Sequence, residues 1–355
     1  MSTDTRVHKG LEGVVVDTTA VSLVDGARGA LSYRGHDIAG LVERPFAEVA
    51  ALVATGEFDR GFGKRLAEHA PLSPREEDLV LALPASTHPM HVLQGVTPLL
   101  DPSDGFADRG DAAQGFAVAA KLPTLIATHL QRRRLPTPTA DDPIALFLTQ
   151  IEAPALEPVH RGFEVAQILQ LEHGFNAGTF TARVVASTLA PVENAVSAAL
   201  GALHGRLHGG ADQAALETAD RVGTPGNAAA FVDRCLEHGE RVMGMGHREY
   251  RVVDPRARLL KDLARQLAEG TEHEVTFRTL EAIEARFSER MAERGKPLYA
   301  NVEFYKGLVF RALGVPPRFF TALFGMARVY GYLAHFAESR EDNRLVRPQA
   351  KYVGR

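Results

Sequence analysis

From Phe46 to Thr55, from Ala112 to Arg132 and over most of the chain beyond Pro158, apolar residues recur at intervals of three and four positions. That spacing lines one face of a helix. A chain that carries it over so much of its length has to fold by packing helix on helix. One stretch departs from it. Between Leu11 and Arg34, Val14-Val15-Val16, Val21, Leu23 and Val24 precede Asp25-Gly26, and Leu31 and Tyr33 follow, which predicts a small N-terminal β-hairpin. The expected class is therefore all-α with one hairpin. No internal period suggests a solenoid. At 355 residues the chain is long enough for two domains, or one with an insertion, and so for a cleft between them.

A net charge of -4 argues against the broad basic surface of a nucleic-acid binder. The one dense basic run, Arg132-Arg133-Arg134, is followed by a Pro- and Asp-rich stretch from Leu135 to Pro143 and reads as a solvated helix end. A single cysteine, Cys235, excludes an internal disulfide and a cysteine-based zinc cage, which fits a reducing compartment. Residues Met1 to Arg6 lack a signal-peptide layout and no apolar run is long enough to span a bilayer, so no membrane role and a cytoplasmic location are expected.

Punctuation along the chain places several residues. Asp254-Pro255 is a helix start, with Asp as N-cap and Pro at the first position, which puts Arg256 in the first turn. Gly314 with Pro316-Pro317 stops one helix, and another is expected near Arg318. The Ala-, Gly- and Ser-rich stretch Val192 to Leu203 suits close helix packing.

Candidate chemistry gathers at a few points. His208, in Leu207-His208-Gly209-Gly210-Ala211, precedes a helix expected near Ala211; the positive end of that helix favours a neutral imidazole, able to donate one N–H to an enol oxygen. A hydrogen-bonded turn histidine would look the same. His204 lies four residues earlier, but the glycines break the helix that a metal-binding His pair needs, so no metal site is expected. The loop Gly244-Met245-Gly246-His247 is weak as a dinucleotide fingerprint and stronger as an anion site, with Arg256 in a helical first turn where a bound carboxylate would offset its conflict with the macrodipole. Arg328 falls on the apolar face formed by Phe320, Phe324, Ala327, Gly331 and Ala334, and so needs a carboxylate partner, from the protein or a ligand. His173 before Gly174 reads as a helix C-cap, and Asn301 as an N-cap with Glu303 in the first turn.

Together these segments resemble the citrate synthase family. The motifs run in order: Gly10-Leu11-Glu12-Gly13-Val14-Val15, Tyr33-Arg34-Gly35-His36-Asp37-Ile38, His88-Pro89-Met90, Glu172-His173-Gly174-Phe175-Asn176-Ala177, the His208 loop, Gly246-His247-Arg248 with Asp254-Pro255-Arg256, Asn301-Val302-Glu303-Phe304-Tyr305, and Asn343 to Pro348. The resemblance implies a two-domain helical fold, with 1–211 and 317–355 forming a large dimer-forming domain on the oxaloacetate side and 212–316 a small domain on the coenzyme A side. It implies condensation of acetyl-CoA with oxaloacetate to citrate and CoA, with the thioester as co-substrate and no permanently bound cofactor or metal. His208 would stabilise the enol, Glu303 remove the methyl proton and His247 polarise the ketone. His173, Arg256 and Arg328 would hold oxaloacetate, with Arg347 entering from the second subunit of a homodimer. Arg251 and Lys296 would meet CoA phosphates, and the Gly244–Gly246 backbone would lie along the cofactor.

The family motif has aspartate where this chain has Glu303, and Lys306 stands where a small polar residue is expected. The acid-base group survives, one methylene further from the backbone. Three alternatives follow: a 2-methylcitrate synthase using propionyl-CoA, a ligand-binding or regulatory relative impaired by Glu303, and an enzyme running the carbon–carbon step as a lyase.

Overall fold

The structure is a computed structural model that describes residues 7–101, 111–136, 140–205 and 208–354. Met1 to Arg6 and Leu207, which entered the leader and glycine-loop readings, lie outside those residues. Helices dominate, and the expected stretches form as Phe46–Thr55 and Asp111–Gln131. The hairpin also forms, but later and larger than expected: Ser22–Asp25, Ala30–Tyr33 and His36–Asp37 make a three-stranded antiparallel sheet. Val14, Val15 and Val16 stay outside it, exposed and without a partner strand, because β propensity alone does not pair a strand.

The Val192–Leu203 helix packs on Ala177–Ser187, Pro89–Val96 and Phe320–Glu341, as its small residues allow. A second group, Ala211–Val222, Ala228–Glu237, Pro255–Ala268, Glu274–Glu293 and Glu303–Ala312, packs largely on itself. It meets the first group where Pro255–Ala268 and Glu303–Ala312 lie on Glu157–Ile168. One hydrophobic cluster runs through both groups.

The basic run is a helix end, with a specific use. Arg132 donates to the carbonyls of Leu81 and Leu83 at 2.9 and 2.7 Å, satisfying the open C-terminus of Pro74–Ala82. Arg133 and Arg134 pair with Glu152, Glu77 and Asp78. Cys235 is buried and free. Among the described residues no helix is long and apolar enough to cross a membrane.

Candidate active site

Glu157–Ile168 ends well before His173, so the C-cap reading of His173 fails. The residue sits in an irregular segment that the sheet holds in place. Ser22 Oγ donates to Glu172 Oε1 at 3.2 Å and accepts the Gly174 N–H at 3.2 Å. On the other side, Gly331 brings its helix so close that a Cβ there would lie 2.4 Å from the Leu171 carbonyl oxygen. Burial pushes the Glu172 carboxyl up, but His335 and Arg328 outweigh it and hold the group below its ordinary value. With its neighbours fixed, His173 turns Nε2 to the Tyr250 hydroxyl at 3.1 Å and its ring to His247, centroids 5.4 Å apart.

Part of the glycine loop's hydrogen-bonding capacity is used within the protein, Met245 N–H donating to Val242 O at 3.2 Å. Gly246 N–H donates to Tyr299 O at 2.7 Å, and Asn301 takes the carbonyls of Gly244 and Gly246, both at 2.9 Å. Positive φ explains the glycines, +79° at Gly244 and +88° at Gly246, together with a close approach of Phe304 to Gly244. This bracing aims His247. Its Nδ1 accepts from the backbone N–H groups of Glu249 and Tyr250 at 3.0 and 3.1 Å, which assigns the neutral ring's proton to Nε2. Nε2 lies 3.3 Å from Arg256 Nη2, a second donor, so the two converge on space suited to an acceptor.

Asp254 is the N-cap and Pro255 the first residue of its helix, as expected. It also supplies the counter-charge that a ligand was expected to bring to Arg256, binding Nε at 3.0 Å and Nη2 at 2.8 Å in a two-pronged pair. Nη1 of Arg256 bonds to no described residue. Arg328 is different. It is 2% exposed, donates Nε to the Gln170 carbonyl at 2.6 Å, lies 4.8 Å over the Phe324 ring and has no ion-pair carboxylate among the described residues.

His208 precedes Ala211–Val222, and its Nε2 lies 3.2 Å from Asn176 Oδ1, an acceptor fixed by the Thr179 N–H. Among the described residues, no group of three or more His, Cys, Asp or Glu is arranged to hold a metal ion. Glu303 begins its helix, and Asn301 Oδ1 accepts its N–H at 3.0 Å, so Asn301 caps although the helix boundary falls one residue later than expected. The carboxylate is close enough to His208 and His247 to act on the charge of both. It also touches Lys306, Oε2 to Nζ, at 2.6 Å.

All three histidines are held neutral. Burial is the main cause; Arg328 adds to it at His208 and Arg256 at His247, bringing each to about 4, and both arginines act on His173, which falls well below its ordinary value. Unfolding returns His208 and His247 to the ordinary 6.5. The unfolded chain therefore takes up protons that the folded chain refuses, and this stability, present above pH 6.5, is lost as pH falls through about 4. The melting temperature is expected to fall over that window, and His247→Asn to flatten the fall. A curve unchanged by the substitution would mean that His247 is not held neutral.

A cavity lies between the His247–Asp254 loop and Pro297–Ala300, with Arg251 at its wall. Arg251 and Lys296 are exposed. The Arg251 backbone N–H reaches across to Gly26 of the hairpin turn at 2.8 Å, and a Cβ on Gly26 would lie 2.1 Å from the Glu249 carbonyl oxygen. Arg347 stands on the exposed C-terminal stretch, away from regular structure. Sequence reasoning missed Tyr250, Asn176 and Gln170 as partners, and saw Asp254 only as a cap. Lys306, three residues after Glu303, could have been paired with it from helical spacing.

The sequence matches the family model described as "Citrate synthase, C-terminal domain" over residues 10–349. The chain belongs to the citrate synthase family. It is an enzyme, a transferase of the kind that condenses an acyl-CoA with oxaloacetate. A citrate synthase from Synechocystis sp. is 36% identical, with 100% of this chain and 93% of that one covered. A 2-methylcitrate synthase 2 from Corynebacterium glutamicum is 35% identical, covering 99% and 96%. Among solved structures, the citrate synthase of Pyrobaculum aerophilum superposes with a TM-score of 0.90 at 31% identity, covering 98% and 93%. The Thermoplasma acidophilum enzyme, in ternary complex with carboxymethyl-coenzyme A and oxaloacetate, gives 0.88 at 25%, covering 99% and 97%.

Proposed function

We propose that this citrate synthase family member condenses acetyl-CoA with oxaloacetate, with the site residues in the following roles. The observation that carries the reading is Arg328, a buried cation without a protein carboxylate, beside a second arginine and three neutral histidines. A buried cation with no carboxylate in contact carries a desolvation penalty that an anionic ligand would offset. Arg328, Nη1 of Arg256 and His173 hold the carboxylates of oxaloacetate, and Nε2–H of His247 donates to its ketone oxygen.

Glu303 takes a methyl proton from the thioester, and the enol oxygen takes the His208 N–H in exchange for the long bond to Asn176. The enol carbon attacks the ketone carbon, whose oxygen takes the Nε2 proton of His247 as the C=O π bond breaks; the proton held by Glu303 passes to solvent, and solvent restores the proton of His247. Water then cleaves the thioester, releasing citrate and CoA. Arg251, Lys296 and the Gly244–Gly246 backbone lie along the CoA. The division into 1–211 with 317–355 and 212–316 puts the cleft between the two helical groups. In a homodimer, Arg347 enters the partner's site, and exposed Val15, Leu345, Val346 and Val353 give both chain ends apolar surface to bury there. The absence of membrane-spanning helices from the described residues fits the cytoplasmic location.

The likeness to a 2-methylcitrate synthase supports propionyl-CoA as the competing substrate. One methylene is worth about 1–3 kcal/mol, a preference of roughly 10–200-fold. Thiol release with oxaloacetate and each acyl-CoA, compared as kcat/KM, decides between them. Turnover of neither, with oxaloacetate still bound in a calorimeter, would leave a binding protein and overturn the proposal.

A further inference from the structure

Lys306 is a full-length cation with 0% exposure. Its Nζ donates a hydrogen bond to Gln170 Oε1 at 2.7 Å and forms ion pairs with Glu303 Oε2 at 2.6 Å and Asp212 Oδ2 at 3.3 Å. The groups around it come from every element packed there. Asp212 belongs to Ala211–Val222, Gln170 follows Glu157–Ile168, and Glu303 lies one turn back on the same helix. Phe320–Glu341 contributes the Phe324 ring, 4.2 Å from Nζ, with Arg328 over the same ring. The charge of Lys306 also reaches His208.

A buried ammonium between two carboxylates is poor value as a stabilising device, since an apolar side chain of similar volume commonly does as well. Its geometry has a different logic. Glu303 Oε2 is buried, accepts no hydrogen bond and is held by charge alone against Lys306, whereas Oε1 has no partner among the described residues and is not enclosed, the side chain being 12% exposed. One oxygen is anchored and the other is left open.

We propose that Lys306 is the positioning residue of the proton-abstracting base: it clamps Glu303 by Oε2 so that the longer side chain presents Oε1 to the substrate, while Asp212 competes for the same ammonium. The inference rests on the reading of Glu303 as the base. The ammonium stays balanced when Glu303 takes the proton, because Asp212 remains beside it. Burial, with the Glu303 charge, raises the Asp212 carboxyl to about 6, the direction expected of the second carboxylate on a shared cation.

Lys306→Met keeps the length and removes the charge. Oxaloacetate affinity, read by calorimetry, is expected to stay within about threefold, while kcat at neutral pH falls by about 10–10³-fold. The base limb of the kcat–pH profile should move up by about 1–3 pH units, so that raising the pH recovers much of the loss. Asp212→Asn should move the limb the opposite way, since the ammonium is then left to Glu303 alone. A residue needed only for folding would lower the yield or the melting temperature without moving the limb in opposite directions. If Lys306→Met does not fold, the direction of the Asp212→Asn shift decides. Wild-type turnover with base limbs unmoved in the variants overturns the role of Lys306 and leaves the function standing. A wild type that turns over neither acyl-CoA overturns the function, and the inference with it.

Discussion

Glu303→Gln is expected to lower turnover by about 10²–10⁴-fold while leaving oxaloacetate affinity nearly unchanged. Glutamine keeps the size of the side chain but cannot accept the methyl proton, and Lys306 retains Asp212 and Gln170 as partners, so the fold is not at risk. In the proposed assignment oxaloacetate is held by His173, Arg256 and Arg328 instead. Glu303→Asp is the companion change. Because Lys306 contacts Oε2 at 2.6 Å from one turn along the same helix, a shortened carboxylate cannot keep that contact and also reach the substrate. Activity should fall, by up to about a hundredfold for a displacement near 1 Å. A rise would mean that glutamate is a handicap here, and an unchanged Glu303→Gln rate would mean that another group is the base.

Arg328→Met is expected to weaken oxaloacetate binding by on the order of 10²-fold or more, corresponding to about 2–5 kcal/mol for a desolvated charge pair. The same substitution should leave the melting temperature of the ligand-free protein unchanged or raise it. Arg328 is buried without a carboxylate in ion-pair contact, and replacing such a cation by an apolar side chain relieves a desolvation penalty that the Gln170 carbonyl, the Phe324 ring and the more distant Glu172 charge offset only in part. Affinity and stability thus move in different directions. A large loss of melting temperature would show that the bond to the Gln170 carbonyl outweighs the burial of charge; unaltered affinity would remove Arg328 from the site.

The parts legible in the sequence were those with local causes. Helical spacing gave Phe46–Thr55 and Asp111–Gln131 to within a residue, and Asp254-Pro255 marked its helix start because a cap and a fixed φ act within one turn. Val14 to Val16 misled because whether a β-prone run pairs depends on a distant partner. The two arginines divide on the same ground. Both looked electrostatically misplaced, yet Arg256 is neutralised by its own N-cap two residues away, while Arg328 is not, and only assembled helices reveal that difference. Lys306 carried the largest hidden content. Its spacing from Glu303 was visible, but its meeting with Asp212 joins residues far apart in the chain.

The contact between the hairpin turn and the Glu249–Val253 loop bears on how His247 is kept in place. That loop is tied across to its neighbours by the Arg251 N–H on Gly26 and the Tyr250 hydroxyl on His173, and each bond is worth about 0.5–1.5 kcal/mol net. Lifting the loop would break these two bonds, strip His247 Nδ1 of the Glu249 and Tyr250 N–H groups and uncover the Tyr250 ring, which is 4% exposed. The turn can seat so closely because Gly26 has no side chain. A single missing methyl group therefore sets the depth at which the loop seats: any side chain at position 26 would push the loop, and the backbone N–H groups that aim His247, off the sheet.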